Sequence, residues 1–276
     1  MLKLMYITND PEVAVIAENA GVDRVFIDME YIGKNIRQGG MDTVQCHHTV
    51  EDVLKIKRVL NHAELMVRVN PLHDGTDAYC SSEEEINAVI DAGADLVMLP
   101  YFHCAADIER FVKIVDGRAK VFPLLESKDS FENIDEILNV PGIDEIHIGL
   151  NDLSLDLKKK FMFELLTDGT VEQLCKKFRK KGIPYGFGGI GRLGKGDLPA
   201  EHVIKEHYRL GSSCAILSRS FCNTSMIKDY EEIKKIFDVG VKEIRDLEKE
   251  CISYQKYFTD NKIYVEKKVA SIVGMR

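Results

Sequence analysis

Apolar residues arrive along this chain in short continuous bursts, and between the bursts they recur every three or four positions. The bursts are LKLMYIT (2–8), RVFIDM (24–29), ELMVRVN (64–70), DLVMLPY (95–101), KVFPLLE (120–126), EIHIGL (145–150), PYGFGG (184–189) and CAILSR (214–219). Short runs that are mostly continuous rather than alternating predict strands buried on both faces of a parallel sheet. The intervening stretches read as amphipathic helices. PEVAVIAENAG sets Pro11 near a helix start and closes on Gly21. TVEDVLKIKRVL opens on Thr49 with Asp52 three residues later, close to a capping box. SSEEEINAVIDAG, ADIERFVKIVDG, SFENIDEILNV and PAEHVIKEHYRLG repeat the theme.

Eight strands, each followed by a helical segment, predict an α/β fold of the (β/α)8 TIM barrel type. The alternative, a doubly wound open sheet, calls for a GxGxxG turn after the first strand, and none stands there. From Asp229 the chain runs on as DYEEIKKIFDVGVKEIRDLEKECISYQKYF, longer than barrel closure needs. The expected division is a catalytic barrel over 1–228 and a C-terminal helical extension over 229–276. The Ile, Val, Leu and Phe of that extension are expected to pack on a neighbouring subunit of a homo-oligomer.

Composition bears on partners and compartment. The 276 residues carry a net charge of −8, which gives no general basic footprint for nucleic acid or an anionic membrane surface. The apolar stretch Met1 to Thr8 runs directly into Asn9, Asp10 and Pro11, without a signal peptide's architecture. No apolar run approaches bilayer length. The 7 cysteines are scattered, with no CxxC pair, as expected of reduced thiols in a cytoplasmic protein.

In a barrel of this type chemistry gathers where the strands end. The second strand ends in Asp28, Glu30 and Tyr31, the third in Arg68 and Asn70, and the fourth in Tyr101 and His103. The fifth ends in Glu126, the sixth in Asn151 and Asp152, and the eighth in Ser218 and Arg219. The seventh opens into GFGGIGRLGKG, where Arg192 and Lys195 among glycines suggest anion binding or a lid with two exposed charges. Glu126 terminates the apolar run VFPLL, where a carboxylate needs partners or takes up a proton. An ion pair with Arg68 is one reading. Two acids from adjacent strands, Glu126 and Asp152, fit a divalent-cation site with open positions better. Asp152 also has a second reading, as a helix N-cap in Asp-Leu-Ser.

These residues carry a resemblance. LLESKDSFENIDEILNVPGIDEIHIGLNDLS resembles the HpcH/HpaI aldolase and citrate lyase β-subunit family, which pairs a strand-end Glu with a G-x-x-D-L-S segment one βα unit later. RVFIDME resembles that family's second strand, MVRVNP its arginine-bearing third and GADLVMLP its fourth, so the likeness runs over roughly 12–220. It implies a Mg²⁺- or Mn²⁺-dependent carbon–carbon lyase, with Glu126 and Asp152 holding the metal. A pyruvate-like 2-oxo acid would be the substrate, Arg68 would stabilise its enolate, and an aldehyde would be the partner. An acyl-CoA lyase of the citramalyl or malyl type, acting on a thioester, is the close alternative, and a non-catalytic barrel that keeps the ligand site is a third.

The sequence departs from the aldolase branch at Tyr31, where a His commonly follows the second-strand Glu, and at Leu124, where a polar residue is common. R-V-N at Arg68 to Asn70 looks more like the citrate lyase branch, and the loop from Ile32 to His48 is long and basic. The proton carrier is therefore left open among His47, His48, Tyr31 and His103, with Arg37 and Gln38 as groups for the substrate's far end. The candidate set is Arg68, Glu30, Tyr31 and His48 for catalysis. Asn151, Asp152, Asn70 and Arg192 are expected at the substrate, and Glu126 and Asp152 at the metal.

Overall fold

The eight apolar bursts are the eight strands of a closed parallel barrel in the order β1 to β8, seen in a computed structural model that describes residues 1–34 and 48–275. The strands are β1 Lys3–Ile7, β2 Arg24–Asp28, β3 Glu64–Arg68, β4 Leu96–Leu99, β5 Lys120–Leu125, β6 Ile146–Ile148, β7 Tyr185–Ile190 and β8 Cys214–Leu217. Arg37, Gln38 and His47 lie outside the described residues.

Inside the continuous runs a period of two does operate. In β2, Arg24, Phe26 and Asp28 share one face, and in β3 Glu64, Met66 and Arg68 share the facing one, because the register pairs Arg24 with Glu64, Phe26 with Met66 and Asp28 with Arg68. Met5, Phe26, Met66, Leu96, Met98, Phe122, Leu124 and Cys214 pack together as a core of their own, filling the barrel. Alternate residues such as Val25, Ile27, Leu65 and Val67 belong to the larger core shared with the helices. The same parity carries charge to both rims. Arg24, Glu64 and Glu145 gather at the strand starts, and Asp28 and Arg68 at the strand ends.

The helix signals work as written. Thr49 caps Val50–Lys57 with the reciprocal Asp52 contact, and Ser81 does the same for Ser82–Asp91 through Glu84. SFENIDEILNV is two short helices, Lys128–Glu132 and Ile134–Ile137, divided at Asn133. Six cysteines among the described residues are free thiols, and no helix there is long and apolar enough to cross a membrane.

The boundary drawn at 228/229 falls just before a helix that completes the barrel's outer ring. Tyr230–Ser253 buries Ile233, Phe237, Val241 and Ile244 against Pro11–Asn19 and Ala200–Leu210. Its buried Glu248 accepts the Leu2 backbone N–H at 2.6 Å, and Arg245 donates to the Leu2 carbonyl at 2.7 Å. The last helix, Phe258–Met275, lies on Ala200–Leu210 and Glu164–Thr167 of its own chain and buries Asn261, Val265 and Val269. The apolar face expected to seek another subunit is thus largely taken by this barrel. Val239, Ile252, Ile263 and Tyr264 remain outward.

Candidate active site

The rim at the strand ends is organised around Arg68. Its Nε donates to Asp28 Oδ1 at 2.8 Å and its Nη2 to Asp28 Oδ2 at 2.7 Å, while Nη1 stands 3.2 Å from Glu30 Oε2. The fork geometry of the guanidinium is what permits the two-pronged contact. Lys34 folds back onto the same pair of acids, its Nζ 3.2 Å from Asp28 Oδ2 and 3.3 Å from Glu30 Oε2. Asp28, Glu30 and Lys34 are all buried. Burial alone would raise the Asp28 pKa, but Arg68 and Lys34 outweigh it and hold the carboxyl below its ordinary range. Burial likewise opposes the charge on Arg68, and Asp28, Glu30 and Glu126 overcome it, so the guanidinium stays charged.

The influence of Glu126 on Arg68 links this cluster to β5 and β6. Glu126 directly follows β5 and is 3% exposed. Its Oε2 lies 2.7 Å from the place a Cβ would take on Gly149, so the carboxylate lies against the backbone that leads from β6 into the helix Leu150–Asp156. A side chain at 149 would push it away. The cap position of that helix is Gly149, without a side-chain cap, and Asp152 sits inside the first turn, buried, with Oδ1 accepting from Asn151 Nδ2 at 3.0 Å. Asp152 is therefore not the N-cap that Asp-Leu-Ser suggested. Among the described residues no three His, Cys, Asp or Glu side chains form a ligating group. A cation at Glu126 and Asp152 would complete its shell with water or substrate oxygens, which suits a hard divalent ion.

A cavity of about 530 Å³ opens beside Arg68 between the ends of β1, β2, β3 and β8. Asp28, Lys34, His48, Arg68, Ser218 and Arg219 are on its wall, together with Thr8 to Asp10 and Asn223 to Ser225. His48 Nδ1 accepts the backbone N–H of Asp28 at 3.1 Å. The neutral ring then carries its proton on Nε2, which makes it a hydrogen-bond donor.

Other expected residues lie elsewhere. Tyr31 is 45% exposed; its backbone N–H donates to Asn70 Oδ1 and its carbonyl accepts from the Lys34 backbone N–H. Asn70 is buried, its Oδ1 accepting from Tyr31 and Ile32 and its Nδ2 donating to Glu85, so the side chain pins the β2 loop. Asn151 is exposed at the start of its helix. His103 pairs with the exposed Asp129 and lines a separate small pocket with Tyr101. Tyr101 holds a φ of 48°, a left-handed conformation that costs a non-glycine residue about 1–3 kcal/mol. The first part of the glycine-rich segment is β7 itself: Gly186 lets that strand close on Cys214 and His147. Arg192 and Lys195 face a groove against the helix Tyr230–Ser253, with Glu232 and Glu243 on its wall, and not the cavity beside Arg68. Lys34 was missed, although its i,i+4 spacing from Glu30 was a readable signal.

Comparison with known proteins follows the same lines. Residues 3–164 match the family model described as HpcH/HpaI aldolase/citrate lyase. A 4-hydroxy-4-methyl-2-oxoglutarate aldolase of Chaetomium globosum is 24% identical over 214 residues, 66% of this chain and 72% of that protein. A second aldolase of that name, from Hapsidospora irregularis, is 23% identical over 188 residues, 56% of this chain and 62% of the relative. Among solved structures, an HpcH/HpaI aldolase/citrate lyase family protein from Burkholderia cenocepacia J2315 superposes with a TM-score of 0.63 at 15% identity, covering 84% of this chain and 94% of the other. The citrate synthase SbnG gives 0.57 at 20% identity, covering 78% and 84%. Both show a shared fold.

Proposed function

Because the chain belongs to the HpcH/HpaI aldolase/citrate lyase family, we propose that it is a carbon–carbon lyase that cleaves or forms a 2-oxo acid through a pyruvate-like enolate, with Mg²⁺ or Mn²⁺ as its cofactor. The observation that carries this reading is the convergence of a fixed guanidinium, Arg68, and a buried carboxylate, Glu126, that acts on its charge. Glu126 and Asp152 would hold the cation. When bound, it would act as a Lewis acid on the oxo acid's carboxylate and keto oxygens.

The chain's own residues supply the rest. Arg68, aligned by Asp28 and Glu30, presents N–H groups to the keto oxygen on which negative charge develops as the carbon–carbon bond breaks. Asp28 absorbs two of the five N–H bonds and fixes the plane, so donors remain for substrate without reorganisation. His48 offers its Nε2–H as a further donor to a substrate oxygen. With Tyr31 half exposed at the rim, the ammonium of Lys34, held beside Arg68, would be the acid that returns a proton to the enolate carbon.

The test is pyruvate release in a coupled assay with Mg²⁺ or Mn²⁺, from 4-hydroxy-4-methyl-2-oxoglutarate and simpler 4-hydroxy-2-oxo acids, set against malyl- and citramalyl-CoA. Cleavage of the oxo acids, abolished by EDTA, supports the aldolase. Cleavage of the thioesters alone would replace it with the acyl-CoA lyase.

A further inference from the structure

Glu85 is a buried carboxylate that forms no ion pair with Lys or Arg among the described residues. It is 5% exposed on the helix Ser82–Asp91, and burial raises its pKa more than its contacts with Asn70 and His73 lower it. A buried acid without a cation is a costly group unless hydrogen bonds use it. All of its hydrogen bonds go to Asn70. Both oxygens accept the Asn70 backbone N–H, at 3.3 and 3.2 Å, and Oε1 also accepts Asn70 Nδ2 at 2.8 Å.

A carboxylate only accepts, whereas an amide donates from one side and accepts on the other. With Nδ2 turned to Glu85, Asn70 Oδ1 faces the loop after β2 and accepts the N–H groups of Tyr31 and Ile32, both at 2.9 Å. The Tyr31 carbonyl in turn accepts the Lys34 N–H at 3.3 Å, closing a turn. Glu30 stands just before this turn and Lys34 ends it. Lys34 Nζ is 3.3 Å from Glu30 Oε2, which is itself 3.2 Å from Arg68 Nη1. Asn70 lies two residues past Arg68, so the clamp acts from the strand that carries the guanidinium.

We propose that Glu85 is a positioning residue: by fixing the sense of the Asn70 amide, it sets where Glu30 and Lys34 stand against Arg68. The proposal rests on the lyase reading above and adds the group that keeps its acid, Lys34, in register with its oxyanion donor, Arg68. Glu85 acts through Asn70 and does not itself reach the substrate.

The experiment exchanges donor and acceptor between the pair, in Glu85→Gln, Asn70→Asp and the double variant. Glu85→Gln brings an NH2 against one of the two Asn70 N–H donors, and Asn70→Asp sets two carboxylates face to face. In the double variant the amide at 85 donates to the carboxylate at 70 and its carbonyl takes the backbone N–H. The second oxygen at 70 still faces Tyr31 and Ile32. Each single change should lower kcat for oxo-acid cleavage by about 100-fold, the cost of a misplacement near 1 Å, with KM and Mn²⁺ affinity little changed. The double variant should recover to within about threefold of the wild type. An unchanged kcat in Glu85→Gln, or single losses that simply add in the double variant, would overturn the proposal, as would a loss carried by KM or Mn²⁺ affinity alone. Backbone amide exchange at Tyr31 and Ile32 is read without turnover. Faster exchange in each single variant, restored in the double, is expected. An unchanged rate in Glu85→Gln overturns the clamp even if the lyase reading fails on other grounds.

Discussion

Strands β2 and β3 carry one pair of opposite charges at each end, in reversed order. At the strand starts Arg24 of β2 meets Glu64 of β3 at 2.8 Å, and at the strand ends Asp28 of β2 meets Arg68 of β3 at 2.7 Å. The two arginines nevertheless live differently. Arg24 is fully buried, is gripped by Glu145 at 2.9 and 2.5 Å as well as by Glu64, and lies over the Phe122 ring. Every group around it is another part of the protein. Arg68 has the same two-pronged carboxylate contact and a ring beneath it, Phe26, but one side of it opens on a cavity. A guanidinium closed on all sides can only hold the fold together, whereas one facing a cavity has donors for something else. That contrast yields predictions at both ends.

The largest effect is expected at the open end. Arg68→Lys keeps the charge but loses the fork, and kcat for oxo-acid cleavage should fall by about 100–1000-fold, the size of losing an oxyanion donor, with the urea midpoint little changed. Equal losses of activity and stability would mean that Arg68 is as structural as Arg24. At the closed end, Arg24→Met takes from Glu145 its main partner, leaving Lys3 at 3.2 Å, and should cost roughly 3 kcal/mol in urea unfolding. Activity per folded molecule should stay as it was; a change in kcat would show that the two ends are coupled.

Next comes pH. His147, inside the barrel, is held neutral chiefly by burial and then by nearby Arg24, its pKa pushed down to about 4 despite its contact with the Gly188 carbonyl. Burial also lowers His207, to about 3. Between those values and the ordinary histidine range the unfolded chain binds protons that the folded one does not, so stability is full above about pH 6.5 and falls on acidification. Unfolding at pH 5 should be easier than at pH 7 by on the order of 2 kcal/mol for each histidine. His147→Gln should remove about half of that slope in urea melts and leave the His207 share, and an unchanged slope would remove His147 from the account. The smallest effect is expected for Gly149→Ala. Its methyl displaces the Glu126 carboxylate and should weaken Mn²⁺ binding by about tenfold, measured by calorimetry.

How much of this was legible before the structure follows from the same parity. Eight strands and their order were visible as apolar runs, and Thr49 and Ser81 announced their helices through the spacing of Asp52 and Glu84. Glu126 stood out because a carboxylate ends an apolar run. What could not be read was direction. A continuous run hides which residues point into the barrel, so Arg24 and Arg68, each four positions from an acid on its own strand, could not be told apart. Asn70 resembled a substrate ligand until Glu85, fifteen residues on, was seen to hold it. Arg192 looked like a mouth residue because it follows the seventh strand, whereas it faces the groove against Tyr230–Ser253. Lys34 stood at i,i+4 from Glu30, the one local signal that it turns back onto the strand-end acids.

The account turns on Glu126 and Arg68 generating an enolate, and one measurement addresses that without knowing the second substrate. Methyl-proton exchange of pyruvate in D₂O is followed by NMR with Mn²⁺ or Mg²⁺, then with EDTA, beside Glu126→Ala. Exchange that requires the cation and disappears in the variant is the predicted result. Exchange that persists in EDTA or in Glu126→Ala, or no exchange with either ion, would contradict it.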